Sequence, residues 1–334
     1  MPASDAGRAV EGRHVTFLVP GSIDGRTGGY EYDRRIVAEL RARGWTVDVR
    51  ETDHPRVVSG LGGGQLVVID GLALASIADP AREGARLKLV PLVHMPGASG
   101  TDEHDVLNAA ARVIVTGHTP KQTLVADGFD ANRIVIVEPG TDRAEVSPGS
   151  GRAAVLLLSV GNVTVGKGYE TLVYSLHAIP ERNWSLTIGG SVTRDPEYVS
   201  RLHRIIRNTK LESRIHLAGE LGPADVARAL DEADVFVLAT VHETYGMAVA
   251  EAIARGVPVV ATATGEIPSI VGDGGIVVPL GNARALSKAL SAIVRDGELR
   301  ERLRQGALRA RDRLRTWTQA GDEMAAILEN VARG

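Results

Sequence analysis

Cysteine is absent from this 334-residue chain, which excludes disulfide bonds, zinc sites built on thiolates and cysteine nucleophiles. Neither sign of charge dominates: the formal net charge is -3, so the composition gives no reason to expect nucleic acid binding. No apolar run approaches the length of about 20 residues that a membrane-spanning helix needs, and the first dozen residues lack the apolar core of a signal peptide. We therefore expect a cytoplasmic protein that binds no nucleic acid.

Sequence patterns typical of metal sites and hydrolytic nucleophiles are also missing. The chain contains no HExxH motif, no HxxxH pair, no DxD triplet after a strand and no GxSxG elbow. A glycine-rich loop at 20–29, PGSIDGRTGG, follows a strand and precedes a helix, but it matches neither the dinucleotide fingerprint nor a P-loop. It is either a phosphate-approaching turn or a flexible connection. We expect no bound metal and no required cofactor.

Strands and helices alternate along the chain, and a polar segment divides the alternation in two. About six apolar segments of strand length precede the linker TDRAEVSPGSGR at 141–152, and about six follow it. This alternation predicts parallel sheets with right-handed crossovers. We predict an α/β protein of two doubly wound, Rossmann-like domains, 1–145 and 153–314, with sheets facing a central cleft. The amphipathic tail, 315–334, is expected to form a helix that packs back on the first domain.

One stretch, 235–271, combines an apolar strand, a loop and a short helix that is apolar on every side except at Glu251. Such a helix is normally buried, and a buried carboxylate needs a hydrogen-bond donor or a cation. The loop before the helix carries Glu243, and the helix N-terminus offers free N–H groups to an anion. The stretch therefore predicts an anion site flanked by two carboxylates. The alternative is that Glu251 caps a backbone N–H or pairs with an arginine.

Two further side chains lie where parallel strands end. Lys167 stands in SVGNVTVGKG, between a strand and a helix, and it is one of only five lysines in the chain. A cation beside free N–H groups at a helix start can hold a diphosphate. His94 follows the fourth strand, where α/β folds place ligand contacts. A solvated lysine and a histidine bonded to loop backbone are the alternative interpretations.

The motif of highest specificity is HETYGMAVAEAIARGVPVVAT, which resembles the E-x7-E motif of glycosyltransferase family 4. GEIPSIV and SVGNVTVGKGYETLVYSL resemble two further segments of that family, and the resemblance is weakest over 50–110. The resemblance implies the GT-B fold and retaining, metal-independent transfer of a sugar from a UDP- or GDP-sugar. The expected acceptor is a small molecule, lipid or glycan with a hydroxyl group.

The resemblance also implies roles for individual residues. Lys167 would bind the donor diphosphate, Glu243 the hydroxyls of the donor sugar and Glu251 the ribose, while His94 would lie beside the sugar. His94, Glu243 and Lys167 are therefore the expected catalytic residues. The expected donor-binding residues are those around the diphosphate, ribose and sugar: Gly28, Gly29, Asn162, Lys167, Glu243, Tyr245, Gly246, Met247, Ala248 and Glu251.

Asn162 stands where the family often has an arginine that binds the diphosphate, so one cation is missing. A UDP-sugar epimerase with the GT-B fold and a non-catalytic nucleotide-sugar-binding protein are the alternative functions. The arginine-rich segment 300–315 either contacts the inner face of a membrane or forms a solvated helix face, and Glu301 and Asp312 favour the latter.

Overall fold

The computed structural model describes residues 13–52, 57–98 and 103–334. The chain divides into two compact units. Unit 1 contains Met1–Gly140 together with the tail, Trp317–Gly334, and unit 2 contains Thr141–Thr316. Each unit has its own sheet of six parallel strands, so the predicted pair of doubly wound α/β folds is confirmed.

Unit 1 is built on a sheet with the strand order β2-β1-β3-β4-β5-β6. Its strands are β1 His14–Pro20, β2 Thr46–Thr52, β3 Leu66–Asp70, β4 Lys88–Val93, β5 Val113–Val115 and β6 Ile134–Ile136. Its helices are α1 Gly28–Ala42, α2 Pro80–Arg86, α3 Glu103–Ala109, α4 His118–Ala126 and, from the tail, α12 Trp317–Arg333. The chain order reverses between β1 and β3, which makes that edge the topological switch point of the sheet.

Unit 2 repeats this architecture with the order β12-β11-β10-β7-β8-β9. Its strands are β7 Val155–Val160, β8 Trp184–Gly189, β9 Ile215–Gly219, β10 Val235–Leu238, β11 Val259–Thr262 and β12 Gly275–Val278. Its helices are α5 Tyr169–His177, α6 Pro196–Asn208, α7 Pro223–Glu232, α8 Met247–Ala254, α9 Ile267–Val271, α10 Ala283–Arg295 and α11 Gly297–Arg311. Here the switch point lies between β7 and β10.

The strands read as continuous apolar runs because both faces of each sheet are covered by helices. All five residues of β3 and all four residues of β10 and of β11 are buried. Two clusters of buried side chains, one on each face, pack the helices of unit 2 against its sheet. Trp184 and Tyr169 belong to one cluster, and Phe236 and Tyr245 belong to the other. The sheets therefore form rigid frames whose strand ends position the loops.

The tail helix α12 packs on α1 within unit 1. Trp317 is 6% exposed and meets Tyr32 edge-on, with ring centroids 5.9 Å apart. Arg43 joins the helices through a 2.7 Å ion pair with Asp322, and Lys88 Nζ donates to Ala332 O. The apolar face of the tail is thus buried, which is the physical reason for its return to the first unit.

Several elements differ from the sequence-based expectation. Helices α2 and α9 are short and carry no clear periodicity, and the sequence analysis did not predict them. Both have proline in the first turn, and Asp79 caps α2 by accepting from Arg82 N–H. Among the described residues, no helix combines the length and the apolar character needed to cross a bilayer.

Candidate active site

In unit 2, the loops after β7 and β10 meet at the switch point of the sheet. Gly166 O accepts hydrogen bonds from Val241 N–H and from the hydroxyl of Thr240. Gly168 has a φ of +66°, and a Cβ there would overlap the carbonyl of Ala239. Only glycine permits this close approach at this backbone angle, so Gly168 allows the two loops to contact each other directly.

Helix α8 begins at this junction without a side-chain cap. Gly246 precedes it with a φ of 103°, and the first backbone bond of the helix runs from Ala250 N–H to Gly246 O. The N–H groups of Met247 and Ala248 therefore have no partner within the helix. Uncapped N–H groups and the positive end of the helix dipole attract an anion to this point.

Lys167 and Glu243 form an ion pair in front of this helix, with 2.8 Å between Nζ and Oε2. Lys167 keeps 27% of its side chain exposed and Glu243 keeps 19%, so both reach solvent. The residues are 76 positions apart in sequence, and they come together because β7 and β10 are neighbours in the sheet. A ligand anion at the helix would compete with Glu243 for Lys167.

The other expected donor-binding residues of unit 2 lie nearby in the same two loops or in the first turns of α8. Glu251 is half-buried on α8, although the helix is otherwise apolar, and Tyr245 is 6% exposed. A third loop closes behind them, because Glu266 N–H donates to Thr244 O. Asn162 Oδ1 accepts from Ser191 N–H at 3.3 Å, which orients the amide, and its NH₂ group can donate to a ligand.

In unit 1, the expected residues gather at the corresponding switch point. Thr27 caps α1 by accepting from Tyr30 N–H, so Gly28 and Gly29 form the first turn of the helix. A Cβ on Gly29 would lie 3.4 Å from Cδ2 of His94, which is ordinary van der Waals contact. The structure thus brings Gly29 and His94 together, and a small substituent on Gly29 meets no clash with protein atoms.

His94 contacts two carboxylates that sequence analysis did not identify. Its Nε2 lies 3.1 Å from Oδ1 of Asp33 and 3.2 Å from Oδ2 of Asp70. Asp33 is fully buried on α1, and Asp70 is the last residue of β3 and 2% exposed. Tyr32 packs edge-on against the imidazole, with ring centroids 5.2 Å apart. Two buried carboxylates therefore fix one nitrogen of the ring.

This cluster changes the proton affinity of its members. Burial lowers the pKa of His94, but the charges of Asp33 and Asp70 and the hydrogen bonds to them outweigh burial and raise that pKa to about 10. Burial raises the pKa of Asp33 to about 6, although the charge of His94 opposes this. The raised pKa favours the imidazolium form of the ring at neutral pH, with its Nε2–H between two carboxylates.

The three side chains are also of the types that bind divalent cations, and their ligand atoms lie within 4.8 Å of one another. A metal is not needed to explain the arrangement, because a proton on Nε2 shared between the two carboxylates accounts for both distances. Both contacts of the ring with carboxylates of the described residues involve Nε2, which donates its proton to them. The expectation of no metal thus stays a prediction.

Signals for Asp33 and Asp70 were present in the sequence. Asp33 shares the buried face of α1 with Ile36, Val37 and Leu40, where a carboxylate needs a partner. Asp70 ends a strand next to the one that ends before His94, and parallel neighbours bring their carboxyl ends together. Each signal marks a carboxylate that needs a partner, but only the strand order identifies His94 as that partner.

Two comparisons with solved structures show the GT-B fold. Sucrose-phosphate synthase from Thermosynechococcus elongatus matches with a TM-score of 0.82 at 19% identity, covering 96% of this chain and 99% of that one. HepE from Anabaena, solved in complex with UDP and glucose, matches with a TM-score of 0.78 at 18% identity, covering 95% and 100%.

Comparisons of sequence reach curated glycosyltransferases. A D-inositol 3-phosphate glycosyltransferase of Xylanimonas cellulosilytica is 29% identical over 250 residues, which cover 69% of this chain and 59% of that protein. Mannosylfructose-phosphate synthase of Agrobacterium fabrum is 26% identical over 215 residues, 62% of this chain and 47% of that protein. The matched part thus spans about half of each relative's length. The family model Glycosyl transferases group 1 matches residues 143–310, just over half of the chain, and the protein belongs to that family.

Proposed function

We propose that the protein transfers a sugar from a nucleotide-diphosphate donor, a UDP- or GDP-sugar, to the hydroxyl group of an acceptor. The observation that carries the proposal is the position of Lys167 and Glu243 before the uncapped N-terminus of α8, at a sheet switch point. That end of the helix suits a diphosphate. Family membership and the bound UDP of HepE, which has the same fold, support a nucleotide-sugar donor.

In the proposed reaction, the bond between C1 of the sugar and the β-phosphate oxygen breaks. A bond from C1 to the acceptor oxygen forms, the acceptor proton passes to the leaving phosphate, and the nucleoside diphosphate departs. Negative charge grows on the diphosphate as the first bond lengthens. Lys167 and the N–H groups of Met247 and Ala248 stabilise that charge. The loop contacts hold the backbone in place, whereas Lys167 exchanges its ion pair with Glu243 for the phosphate.

The half-buried carboxylate of Glu251 is assigned to the ribose hydroxyls and that of Glu243 to the sugar hydroxyls. Carboxylates accept two hydrogen bonds readily, so they suit diol groups. His94 is assigned to the sugar as an N–H donor. Retention of configuration through a front-face reaction, with the leaving phosphate as the base, fits the engagement of Asp33 and Asp70 with His94, since neither is free to act as a nucleophile.

The test joins donor binding with turnover. Thermal unfolding with UDP, GDP, ADP and CDP should show stabilisation by one nucleotide, because a ligand that binds only the folded state stabilises it by mass action. The sugar donors of that nucleotide are then incubated with inositol, sugar phosphates and alkyl glycosides, and products are separated by chromatography.

Glu251→Gln should weaken nucleotide binding and transfer at least tenfold, whereas Glu298→Gln, whose parent carboxylate is 94% exposed, should change neither. Wild-type activity in Glu251→Gln would overturn the site assignment. Formation of a UDP-sugar epimer without acceptor would replace transfer by epimerisation as the function.

A further inference from the structure

A cavity of unit 2 lies at the amino ends of its strands, at the opposite end of the sheet from Lys167 and Glu243. It has a volume of about 270 Å³ and is lined by the linker at 147–149, by the segments that lead into β10 and β11 and by the first two turns of α11. Asp234 immediately precedes β10, whereas the loop with Glu243 follows that strand. The four residues of β10 span about 13 Å, so the cavity is separate from the proposed donor site.

Two arginines on successive turns of α11 line this cavity, and the described residues offer neither of them a carboxylate partner. Arg300 Nη1 donates to Ile293 O and Val294 O at the end of α10. Arg304 Nη2 donates to Ser147 O in the linker. These bonds hold each guanidinium in place and leave its Nε and its other Nη for a ligand. Both side chains are half-buried, so they are prepared for the paired hydrogen bonds that a phosphate accepts.

Two carboxylates also line the cavity, and each already accepts from donors of its own. Asp234 accepts from the N–H and the hydroxyl of Ser150 and from Leu156 N–H, at 2.7–2.9 Å. Glu301 is exposed at the open side of the cavity and accepts from Gln305 Nε2. A carboxylate has about four acceptor positions, so both groups can also accept from hydroxyl groups of a ligand.

This set of side chains selects a ligand with two kinds of polar group. A phosphate matches the two arginines, and hydroxyl groups match the two carboxylates. A neutral sugar would leave the arginines without an anion, and a bare phosphate would place negative charge beside the carboxylates without a hydroxyl between them. The volume of about 270 Å³ is near the lower end of small-molecule sites, so the ligand is a small metabolite.

We propose that this cavity is a ligand site remote from the proposed donor site, and that it takes a small phosphate monoester that carries hydroxyl groups. The phosphate would contact Arg300 and Arg304, and the hydroxyl groups would contact Asp234 and Glu301. The site includes the linker, because Arg304 is bonded to Ser147. The inference stands on the cavity and its side chains and does not depend on the proposed function.

The absence of cysteine from the chain allows a direct test of this site. Pro148→Cys places a single thiol at an exposed position of the lining, and its rate of alkylation by uncharged N-ethylmaleimide measures access to the cavity. Three probes are compared: glucose 6-phosphate, inorganic phosphate and glucose.

Saturating glucose 6-phosphate should slow the alkylation at least fivefold, because the bound ligand covers the thiol. Half-protection should need at least fivefold less glucose 6-phosphate than phosphate, and glucose should give no protection. Leu280→Cys is the matched control, since its parent side chain is 48% exposed in unit 2 and does not line the cavity. Its alkylation rate should be the same with and without each probe.

Further substitutions in the Pro148→Cys protein identify the groups that bind the phosphate. Arg304→Gln should raise the glucose 6-phosphate concentration for half-protection at least tenfold. Arg302→Gln, whose parent side chain is 63% exposed and outside the lining, should leave that concentration unchanged. Lys167→Ala should also leave it unchanged, because Lys167 belongs to the other end of the sheet. Thermal unfolding and the alkylation rate without ligand show whether the fold and the linker are retained.

Arg304→Lys provides the comparison if Arg304→Gln does not fold, since lysine keeps the charge and a donor for Ser147 O. It loses the planar pair of donors, so half-protection should need at least threefold more glucose 6-phosphate than in the parent protein.

Equal protection by glucose, or no protection by glucose 6-phosphate at millimolar concentration, would overturn the inference. So would unchanged half-protection in the folded Arg304 variants, which would make both arginines clamps for α10 and the linker only. Loss of protection in Lys167→Ala would place the probe at the proposed donor site instead. Failure of the proposed function would appear as no nucleotide binding or transfer, and the alkylation rate depends on neither.

Discussion

The two units share one architecture but build their sites in different ways. In unit 2 the site consists of loop backbone, glycines with positive φ and the end of a helix, with Lys167 and Glu243 reaching into solvent. In unit 1 it consists of two buried carboxylates, Asp33 and Asp70, that contact His94. The exposed apolar side chains of Leu72 and Met95 lie beside this cluster. Backbone N–H groups suit a diphosphate, which needs many donors, whereas the cluster of one imidazole and two carboxylates already satisfies its own Nε2 hydrogen bonds. Under the proposed function, unit 2 therefore holds the diphosphate of the donor, and unit 1 contributes His94 beside the donor sugar.

The largest expected effect comes from the cation of unit 2. Lys167→Ala should lower kcat/KM for transfer by about 100- to 1,000-fold, the usual loss when one group that stabilises developing charge is removed. Lys288→Ala, on the exposed face of α10, is the matched control and should leave kcat/KM unchanged. A loss below threefold in Lys167→Ala would remove Lys167 from the diphosphate site and weaken the contrast between the units.

A backbone substitution tests whether unit 2 depends on the contact between its loops. Gly168→Ala should weaken nucleotide binding more than tenfold, because the added Cβ overlaps the carbonyl of Ala239 and pushes the loops apart. Gly281→Ala is the control, since its φ is also positive, +73°, but a Cβ there meets nothing within 4 Å.

Both alanine variants carry the strain of a left-handed residue, about 1–2 kcal/mol, so the difference between them isolates the clash. Calorimetric titration with the nucleotide that gives the largest thermal shift measures that difference. Equal affinities in the two variants would mean that the loops need not touch.

In unit 1 the effect should depend on pH. The raised pKa of His94, about 10 against 6.5, gives a stabilisation that is fully present below pH 6.5 and is lost as the pH rises through 10. Asp33→Asn removes one carboxylate and should bring the pKa of His94 down into the neutral or mildly alkaline range. Between pH 7 and 9, the titration of His94 should then lower kcat/KM several-fold in the variant. In the wild type, His94 should stay protonated over this range and cause no change in kcat/KM.

The ¹⁵N resonances of the His94 ring report its protonation directly. Asp48→Asn, a substitution on β2 at a carboxylate that pairs with Arg50, is the control and should leave those resonances unchanged. A wild-type ring that titrates near pH 6.5 would contradict the prediction. Activity that a chelator removes and a divalent cation restores would instead make the cluster a metal site.

The smallest expected effect is at Gly29. Gly29→Ala places a methyl group 3.4 Å from His94 without a clash, so the free energy of unfolding should change by less than about 1 kcal/mol. Nucleotide affinity should stay within twofold if the nucleotide is held by unit 2 alone. A larger loss, with stability retained, would show that Gly29 approaches the diphosphate as the family resemblance implies, so that both units would contact the diphosphate.

Much of the fold and half of the candidate site could be predicted because their signals are local. Lys167 stands between two glycines after a strand, and Glu243 and Glu251 belong to one motif. Their neighbours in the sequence therefore identify them. The tail helix was predictable from its amphipathic spacing. Asp33, Asp70 and His94 belong to three distant segments, and no local pattern says that a carboxylate on α1 will meet a strand-end histidine.

By itself, the sequence determined two α/β units, the helix with two glutamates and the loop that carries Lys167, because periodicity and glycine placement act within a few residues. Only the tertiary structure decided the ion pair of Lys167 with Glu243 and the contacts of two carboxylates with His94. It also decided that the exposed side chains of Leu72 and Met95 lie side by side. These features depend on strand order, since parallel neighbours in the sheet bring together side chains that are 23 to 76 residues apart in the chain.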